Sequence, residues 1–419
     1  MKLHLSIAVL AVSTLALPSQ AQTLTYIGQQ HVATGTLFAG TTVGGLSSID
    51  WNARTNSYLA ISDDRSTVNP ARFYSLTLDL AQFRRSAAPG SAGIGFTGVT
   101  TILTPAGSPY AANAVDPEGL RFDAQRGLIY WSNEGDRNLA VPRIQDPTVQ
   151  AMRLDGTHVR DFAVPSLFGT SLPNAGIRQN LAFESLAITP DGKTLWTATE
   201  NALVQDGAAA STTAGSPSRL LSFNLETGAP GAQHVYNVGP VGSAPNPAGG
   251  FATNGLTDFL ALGDGRFVTI ERAFAAGAQT PGVGPNGLPT GNTIRLYLAD
   301  VAGATDVSAL ASLAGQTVSP MSKTLLLDLS DLRNDDGSAL ALDNIEGITL
   351  GPEFEGKPTL LLVSDNNFSG AQFTQFVALQ ISAPIPEPAA WALMLTGLPL
   401  LGASVWVRRW RATAGHGAA

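Results

Sequence analysis

Acidic residues recur in pairs at the two ends of short β-forming segments. Glu118 and Glu134 are 16 positions apart, and Glu184 and Glu200 have the same spacing. Two strands of about six residues with a turn between them fill this distance, so each hairpin returns its second acid to the side of the first. Carboxylates held together in this way are the ligands that hard divalent cations prefer. The spacing therefore predicts metal-binding acids at one end of each hairpin.

The same hairpin pattern occurs five times. Repeats at this spacing are typical of a β-propeller, in which each hairpin forms the inner half of a four-stranded blade. We predict an all-β fold, a β-propeller of five four-stranded blades, with six blades as the alternative because the fourth repeat is long. The five copies cover residues 44–65, 116–136, 180–201, 254–274 and 342–368.

One strand near residues 22–35 has no hairpin partner beside it. An N-terminal strand of this kind completes the last blade of a closed propeller and removes two open sheet edges. We expect the first strands of the clearest repeats to line the central channel. These strands cover residues 118–122, 184–188 and 345–350.

Radial stacking of the hairpins is expected to collect the acids at one mouth of the channel. The predicted ring consists of Asp63, Glu118, Glu134, Glu184, Glu200, Glu271, Glu346 and Asp365. Crowded carboxylates raise one another's pKa unless a cation neutralises them, and Ca²⁺ accepts six to eight oxygen ligands. We therefore predict Ca²⁺ as the cofactor. Its expected ligands are Asp63, Glu118, Glu184, Glu346, Asp365 and Asn366.

The alternative interpretation of the ring is structural. Acids and amides also fix loops through hydrogen bonds and through salt bridges to arginines such as Arg65, Arg178 or Arg272. Both interpretations remain open at the level of the sequence.

Composition supports a turn-rich β fold. Of the 419 residues, 44 are Gly and 26 are Pro, while charged residues make up only 13%. The chain has no cysteine, which excludes disulfides and thiolate chemistry. Without its terminal segments the chain carries 20 basic and 31 acidic residues, a net charge of −11. Such an acidic surface argues against a nucleic-acid partner.

The two termini indicate export. Residues 1–21 have a basic start, a short apolar run and small residues before a cleavage point, as in a secretory signal peptide. At the other end, Ile385-Pro386-Glu387-Pro388 precedes an uncharged span at 389–407 and the arginines of 408–411. Such a span is long enough to cross a bilayer. The expected division is 1–21 signal peptide, 22–383 propeller and 384–411 sorting segment.

This C-terminal segment resembles the PEP-CTERM sorting signal of Gram-negative bacteria. The resemblance implies an exosortase-type machinery as a partner, transient anchoring in the inner membrane through the C-terminal span only, and a final place at the cell surface or outside the cell. An ordinary membrane anchor is the alternative.

The body of the chain resembles the phytase-like β-propeller family, "esterase-like activity of phytase". The motifs that carry the resemblance are Gly44-Gly45-Leu46-Ser47, Ser62-Asp63-Asp64-Arg65, Ala71-Arg72-Phe73-Tyr74, Asp116-Pro117-Glu118-Gly119, Phe183-Glu184-Ser185-Leu186, Asp343-Asn344-Ile345-Glu346-Gly347 and Ser364-Asp365-Asn366-Asn367-Phe368. The resemblance implies Ca²⁺-dependent hydrolysis of phosphate esters.

On this interpretation a metal-activated water attacks a phosphate ester or a related ester. The candidate catalytic acids are Glu134, Glu200 and Glu271, and the candidate substrate-binding arginines are Arg65, Arg137, Arg178 and Arg272. The chain is poor in lysine, which argues against phytate itself as the substrate.

Two other functional classes remain open: a non-catalytic binding or matrix propeller of the cell surface, and a lactonase-type propeller that activates water on one metal. A G-x-S-x-G nucleophile elbow and an H-E-x-x-H zinc motif are both absent from the sequence.

Overall fold

The computed structural model describes residues 24–141, 143–170 and 174–382. Within these ranges the chain forms β-strands and three short 3-10 turns, at Leu80–Gln82, Ser166–Phe168 and Leu329–Asp331. None of the described segments is a helix long and apolar enough to cross a membrane. The signal-peptide segment and the sorting segment lie outside the described residues.

Twenty-four strands follow one another in the described part of the chain. The first thirteen are β1 (Leu24–Val32), β2 (Leu37–Phe38), β3 (Thr41–Thr42), β4 (Leu46–Asn52), β5 (Ser57–Ser62), β6 (Arg72–Leu78), β7 (Ile94–Thr101), β8 (Pro117–Asp123), β9 (Leu128–Asn133), β10 (Asp136–Asn138), β11 (Arg143–Gln145), β12 (Thr148–Arg153) and β13 (His158–Asp161). The others are β14 (Phe183–Ile188), β15 (Thr194–Thr199), β16 (Ser216–Asn224), β17 (Pro230–Val238), β18 (Ala252–Gly263), β19 (Arg266–Ala275), β20 (Asn292–Asp300), β21 (Ser322–Asp328), β22 (Asn344–Phe354), β23 (Lys357–Asp365) and β24 (Thr374–Ile381).

These strands build five four-stranded antiparallel sheets, the blades of a propeller. Blade one is β4-β5-β6-β7, blade two is β8-β9-β12-β13, blade three is β14-β15-β16-β17 and blade four is β18-β19-β20-β21. Blade five is β22-β23-β24-β1, in which Leu24 pairs with Ile381 and Val32 with Thr374. The predictions of five blades and of closure by the N-terminal strand are confirmed.

The innermost strands close into a ring. Each of β4, β8, β14, β18 and β22 contacts the next, and β22 contacts β4. The segments predicted to line the channel are therefore the innermost strands of blades two, three and five.

Apolar side chains are buried between neighbouring blades rather than at the axis. Between blades one and two, for example, Ile61 and Phe73 pack with Leu120 and Trp131. Four further clusters of this kind fill the interfaces between the other pairs of neighbouring blades. Each buried Leu, Ile or Phe contributes about 1.5–3 kcal/mol relative to an exposed one. The channel is left free for polar groups.

Local turn chemistry fixes the hairpins. In blade two the Asp123 carboxylate accepts hydrogen bonds from the backbone N–H groups of Gln125 and Arg126, at 2.8 and 3.0 Å. Gly127 then adopts a φ of +67°, which favours glycine. The turn sets the register of β8 against β9 and thereby the positions of Glu118 and Glu134.

Candidate metal centre and active site

The first strand of every inner hairpin carries one extra residue near the same end of the channel. In blade one, Leu46 pairs with Ser62 and Ser48 pairs with Ile61, so Ser47 has no partner. A bulge interrupts the alternation of side-chain directions along a strand and changes the direction of the bulged side chain. The five bulges fall at Ser47, Glu118–Gly119, Glu184, Thr257 and Glu346.

The second strand of each hairpin brings one charged residue to the same end. The N–H of Glu134 donates to the carbonyl of Asp116 at 2.9 Å, two residues before the bulge of blade two. The equivalent positions in the five blades are Asp63, Glu134, Glu200, Arg272 and Asp365. Four of them are acids, and blade four alone supplies a cation.

Eight carboxylates meet at this mouth, and we call them the acidic cluster. Their charges act on one another across blades. The carboxylates of Glu118 in blade two and Glu346 in blade five, for instance, raise the pKa of Glu184 in blade three. The acidic cluster consists of Asp63, Asp116, Glu118, Glu134, Glu184, Glu200, Glu346 and Asp365.

The acidic cluster is densest in blade two. Asp116, Glu118 and Glu134 each offer a carboxylate oxygen, and these oxygens all lie within 4.8 Å of one another. Glu134 is 1% exposed. Its Oε1 accepts a hydrogen bond from the N–H of Ala182 at 2.8 Å, whereas its buried Oε2 has no hydrogen-bond partner. An unsatisfied carboxylate oxygen among other acids is a position that a cation would satisfy.

Two arginines contact the acidic cluster from opposite sides. Arg65 forms an ion pair with Asp116 and lies 3.9 Å from Glu134 Oε2. Arg272 lies 3.0 Å from Glu346 Oε1 and 3.4 Å from Glu200 Oε1. Two cations among eight acids leave a large excess of negative charge.

The acids of blade five are arranged around an amide. Asn344 Nδ2 donates to Glu346 Oε1 at 2.9 Å and to Asp365 Oδ2 at 3.2 Å. Asp63 carries a buried Oδ1 without a hydrogen-bond partner. This side therefore also contains oxygen atoms that the protein leaves unsatisfied.

Glycines leave room for two of the acids. A Cβ atom at Gly255 would lie 1.9 Å from Glu200 Oε1, and one at Gly45 would lie 2.0 Å from Asp63 Oδ1. Both distances are far below any non-bonded contact. A side chain at either position would displace a carboxylate from the acidic cluster.

Burial raises the pKa of the clustered acids. It raises the pKa of Asp116 to about 6 against the pull of Arg65, and that of Glu346 to about 7 against the pull of Arg272. For Asp63, Glu118 and Glu184, burial and then repulsion from neighbouring carboxylates raise the pKa well above the usual range. Without a cation, each of these acids therefore keeps its proton to a higher pH than an isolated carboxyl group does.

The raised pKa values predict that the metal-free protein loses stability as pH rises. An acid with a higher pKa in the folded state binds its proton more tightly there, so its contribution is full below the unfolded pKa and is lost as pH passes the folded one. The stability contributed by Asp116 is lost between pH 3.8 and about 6, and that contributed by Glu346 is lost between pH 4.5 and about 7. Glu346 alone accounts for a decrease on the order of 3 kcal/mol in the free energy of unfolding of the metal-free protein.

This dependence is measured as the melting temperature in EDTA at several pH values between about 5 and 7.5. We expect a fall with rising pH, and we expect millimolar Ca²⁺ to diminish it because the cation replaces the protons. A melting temperature in EDTA that stays constant or rises over this range would contradict the prediction.

Three predicted binding residues are engaged in holding loops. Asn366 Oδ1 accepts hydrogen bonds from the N–H groups of Gly45 at 3.1 Å and Phe368 at 3.0 Å. Arg137 donates to the carbonyl of Ile177 at 3.2 Å, and Arg178 donates to that of Ala202 at 3.0 Å. Burial and the charge of Arg137 lower the pKa of Arg178, which places the two guanidinium groups near each other.

Glu271 lies apart from the acidic cluster. Its carboxylate accepts hydrogen bonds from Tyr236 Oη at 2.9 Å and the Gly239 N–H at 3.0 Å, and it pairs with Lys323. Because Glu271 and Arg272 are consecutive in β19, their side chains point to opposite faces. The residue that faces the acidic cluster is Arg272.

The predicted site residues do not include Asp116, and Asn344 is predicted only as one of several amides beside the acids. Each precedes its bulged glutamate by two positions, in Asp116-Pro117-Glu118 and Asn344-Ile345-Glu346. That shared spacing was the available signal.

The acidic cluster fits a hard divalent cation. Its candidate ligand atoms are carboxylate oxygens, and neither sulfur nor histidine belongs to the group of Asp116, Glu118 and Glu134. Oxygen-only sites favour Ca²⁺ or Mg²⁺ over zinc and copper.

A buried ion pair forms the floor of the channel beneath the acidic cluster. Arg121 of blade two reaches across to Asp258 of blade four, with one guanidinium nitrogen 2.8 Å from both carboxylate oxygens. Arg121 also donates to Ser48 Oγ of blade one at 2.9 Å and to the Ile348 carbonyl of blade five at 3.2 Å. This pair separates the acidic mouth from the other end of the channel.

A cavity of about 760 Å³ adjoins the acidic cluster beside blades three, four and five. Glu200, Glu346 and Arg272 reach into its wall, together with Asp343. A small organic molecule in this cavity would lie directly against part of the acidic cluster.

Comparisons with known proteins identify the family. The profile of the phytase-like family, described as "Esterase-like activity of phytase", matches residues 41–368. No functionally curated protein matches the chain. A crystal structure of a protein of unknown function from Dyadobacter fermentans shares 10% identity with a TM-score of 0.38, over 85% of this chain and 99% of its own.

A second solved structure is the Cps50 (Swd1) β-propeller domain of Myceliophteria thermophila. It shares 9% identity with a TM-score of 0.30, over 81% of this chain and 97% of its own. Since the family profile covers most of the sequence, the protein belongs to the phytase-like family of β-propellers.

Proposed function

We propose that the protein is an exported, Ca²⁺-dependent hydrolase of phosphate esters or related esters. Its family suggests an esterase-like hydrolase. The observation that carries the proposal is the buried group of Asp116, Glu118 and Glu134, in which Glu134 Oε2 has no hydrogen-bond partner. Acids that are brought together and left unsatisfied are typical of a metal centre rather than of a structural network.

Asp116, Glu118 and Glu134 would hold the cation, with Glu184 beside them. A bound divalent cation lowers the pKa of a water molecule and polarises the ester. Arg65 balances part of the charge through its ion pair with Asp116. This ion pair favours the deprotonated form of Asp116 and holds its carboxylate in place.

Glu200 is the candidate for proton transfer in the cavity. It reaches the cavity wall, its pKa is raised by burial, and Arg272 lies 3.4 Å from its Oε1. A carboxylate with a raised pKa accepts a proton from an attacking water efficiently near neutral pH. Arg272 is then the cavity's cation for a developing negative charge on the ester.

The experiment that tests this proposal is a substrate panel with the purified propeller. It includes 4-nitrophenyl phosphate, phytate, a carboxylic ester and a sugar lactone, each in EDTA and in millimolar Ca²⁺. We expect turnover that requires Ca²⁺ and returns when Ca²⁺ is added back. Binding of Ca²⁺ without turnover of any class would instead indicate the non-catalytic binding propeller.

One observation favours a second candidate, hydrolysis of a neutral ester or lactone. The described residues that line the cavity include three acids, Glu200, Asp343 and Glu346, but one cation, Arg272. A phosphate dianion is attracted to such a wall only through bound metal, whereas a neutral ester carries no penalty. Faster turnover of the lactone than of the phosphate would select this candidate.

We also propose export to the cell surface with sorting by an exosortase-type enzyme. The support is the order of apolar leader, Pro386-Glu387-Pro388, uncharged span and arginine tail in the sequence. Processing in a Gram-negative host is expected to remove the span together with the tail.

Mass spectrometry of protein exported by the native host measures this processing. We expect a C-terminus before residue 389 in the wild type and an uncut tail when Glu387 is replaced by Ala. An exported wild-type protein that still carries Arg408 to Arg411 would show that the segment is a plain anchor.

A further inference from the structure

The cavity beside the acidic cluster has a chemically mixed lining. It includes the charged side chains of Glu200, Glu346 and Arg272. It also includes a group of apolar residues, which we call the apolar wall: Leu181, Phe251, Phe274, Leu288 and Pro289. Phe251 is 67% exposed and Leu288 is 62% exposed, which is unusual for side chains of this size within a cavity.

The apolar wall is held firmly next to the charged side chains. Phe274 and Arg272 are two residues apart in β19 and therefore lie on the same face of the strand. The ring of Phe251 lies 6.1 Å from that of Phe274, and the Phe251 carbonyl accepts a hydrogen bond from the Ala276 N–H at 2.9 Å. The exposed ring is thus fixed by the end of the sheet.

Charge restricts what this cavity accepts. Among the described residues that line it are three acids and one cation, Arg272, which is already paired with Glu200 and Glu346. A polyanion needs several free cations around it, as provided by Arg and Lys clusters. The cavity lining provides aromatic surface instead of free cations.

We propose that the substrate is a monoester with an apolar group, an aryl ring or a short acyl chain, that packs on Phe251, Phe274 and Leu288. This rests on the proposed hydrolase function and specifies its substrate class. The ester end points to the acidic cluster, while the apolar group is removed from water against the aromatic pair. Polyphosphorylated polyols are poor substrates.

The test compares 1-naphthyl phosphate with glycerol phosphate in the wild type and in Phe251→Ala. Because Phe251 is exposed, its truncation leaves the fold intact. We expect kcat/KM for the naphthyl ester to fall about tenfold, mainly through KM, and that for glycerol phosphate to change less than about twofold. Leu288→Ala should act in the same direction. Leu37→Ala, 72% exposed and outside the cavity wall, is the matched control.

A binding experiment separates this inference from the hydrolase proposal. Phenylphosphonate and methylphosphonate, which are not hydrolysed, are titrated calorimetrically into Ca²⁺-loaded protein. Tighter binding of the phenyl compound, lost in Phe251→Ala, supports the apolar wall even if no turnover is found. Equal binding of both compounds, or phytate as the best substrate, overturns the inference while hydrolysis stands.

Discussion

Replacement of Glu134 by glutamine will abolish the stabilisation by Ca²⁺ and lower kcat/KM by more than about 100-fold. Loss of residues that only support metal ligands already costs about 10–100-fold, so loss of a ligand charge costs more. In the wild type, Ca²⁺ at a hundredfold excess over Kd adds about 2.7 kcal/mol to the free energy of unfolding. The melting temperature with and without Ca²⁺ measures the first effect, and steady-state kinetics measure the second.

The variant keeps its fold for a structural reason. A glutamine carbonyl accepts the hydrogen bond from the Ala182 N–H as Glu134 Oε1 does, and its amide donates toward Asp116. Removal of one charge also relieves repulsion in the acidic cluster. We therefore expect a higher melting temperature than wild type in EDTA, together with a lost response to Ca²⁺.

Two further variants sharpen this experiment. The double variant Glu118→Gln, Glu184→Gln should also lose the response to Ca²⁺. Glu226→Gln, at an exposed turn between β16 and β17, is the matched control and should behave as wild type. A normal thermal shift in Glu134→Gln, or no calorimetric binding of Ca²⁺ by the wild type, would show that the acidic cluster is structural.

The sequence predicts the fold well because each blade repeats one local pattern. The turn chemistry at Asp123 and Gly127 fixes one hairpin, and the 16-residue spacing recurs wherever the strands have the same length. Five copies and an unpaired N-terminal strand are enough to count the blades. The acid pair of Glu118 and Glu134 follows directly from this spacing.

The part of the site that the sequence does not predict depends on bulges and on contacts across the channel. In blade four the position that pairs two residues before the bulge is occupied by Arg272, so Arg272 faces the acidic cluster and the preceding Glu271 turns away from it. Asp258 is the first acid of the fourth repeat but faces Arg121, 137 positions earlier in the chain. No local spacing encodes such a long-range pairing.

That pairing underlies the largest expected effect on stability. Asp258→Ala should lower the free energy of unfolding by about 3–5 kcal/mol, because it leaves the guanidinium of Arg121 buried without its counterion. Arg121 is 3% exposed and Asp258 is fully buried. Asp258 also accepts hydrogen bonds from the N–H groups of Phe259 at 2.9 Å and Ile348 at 3.0 Å, so blades four and five would loosen together.

Urea denaturation of the EDTA-treated variants measures this loss, with Lys193→Ala as the control. The Lys193–Asp191 pair is 3.9 Å long and solvent-exposed, so its loss should cost at most about 1 kcal/mol. The double variant Arg121→Met, Asp258→Ala should recover much of the lost stability, since the buried guanidinium is removed together with its counterion. A cost below about 1 kcal/mol for Asp258→Ala would mean that water reaches the pair. The channel would then be open beneath the acidic cluster, and Arg121 could not act as its floor.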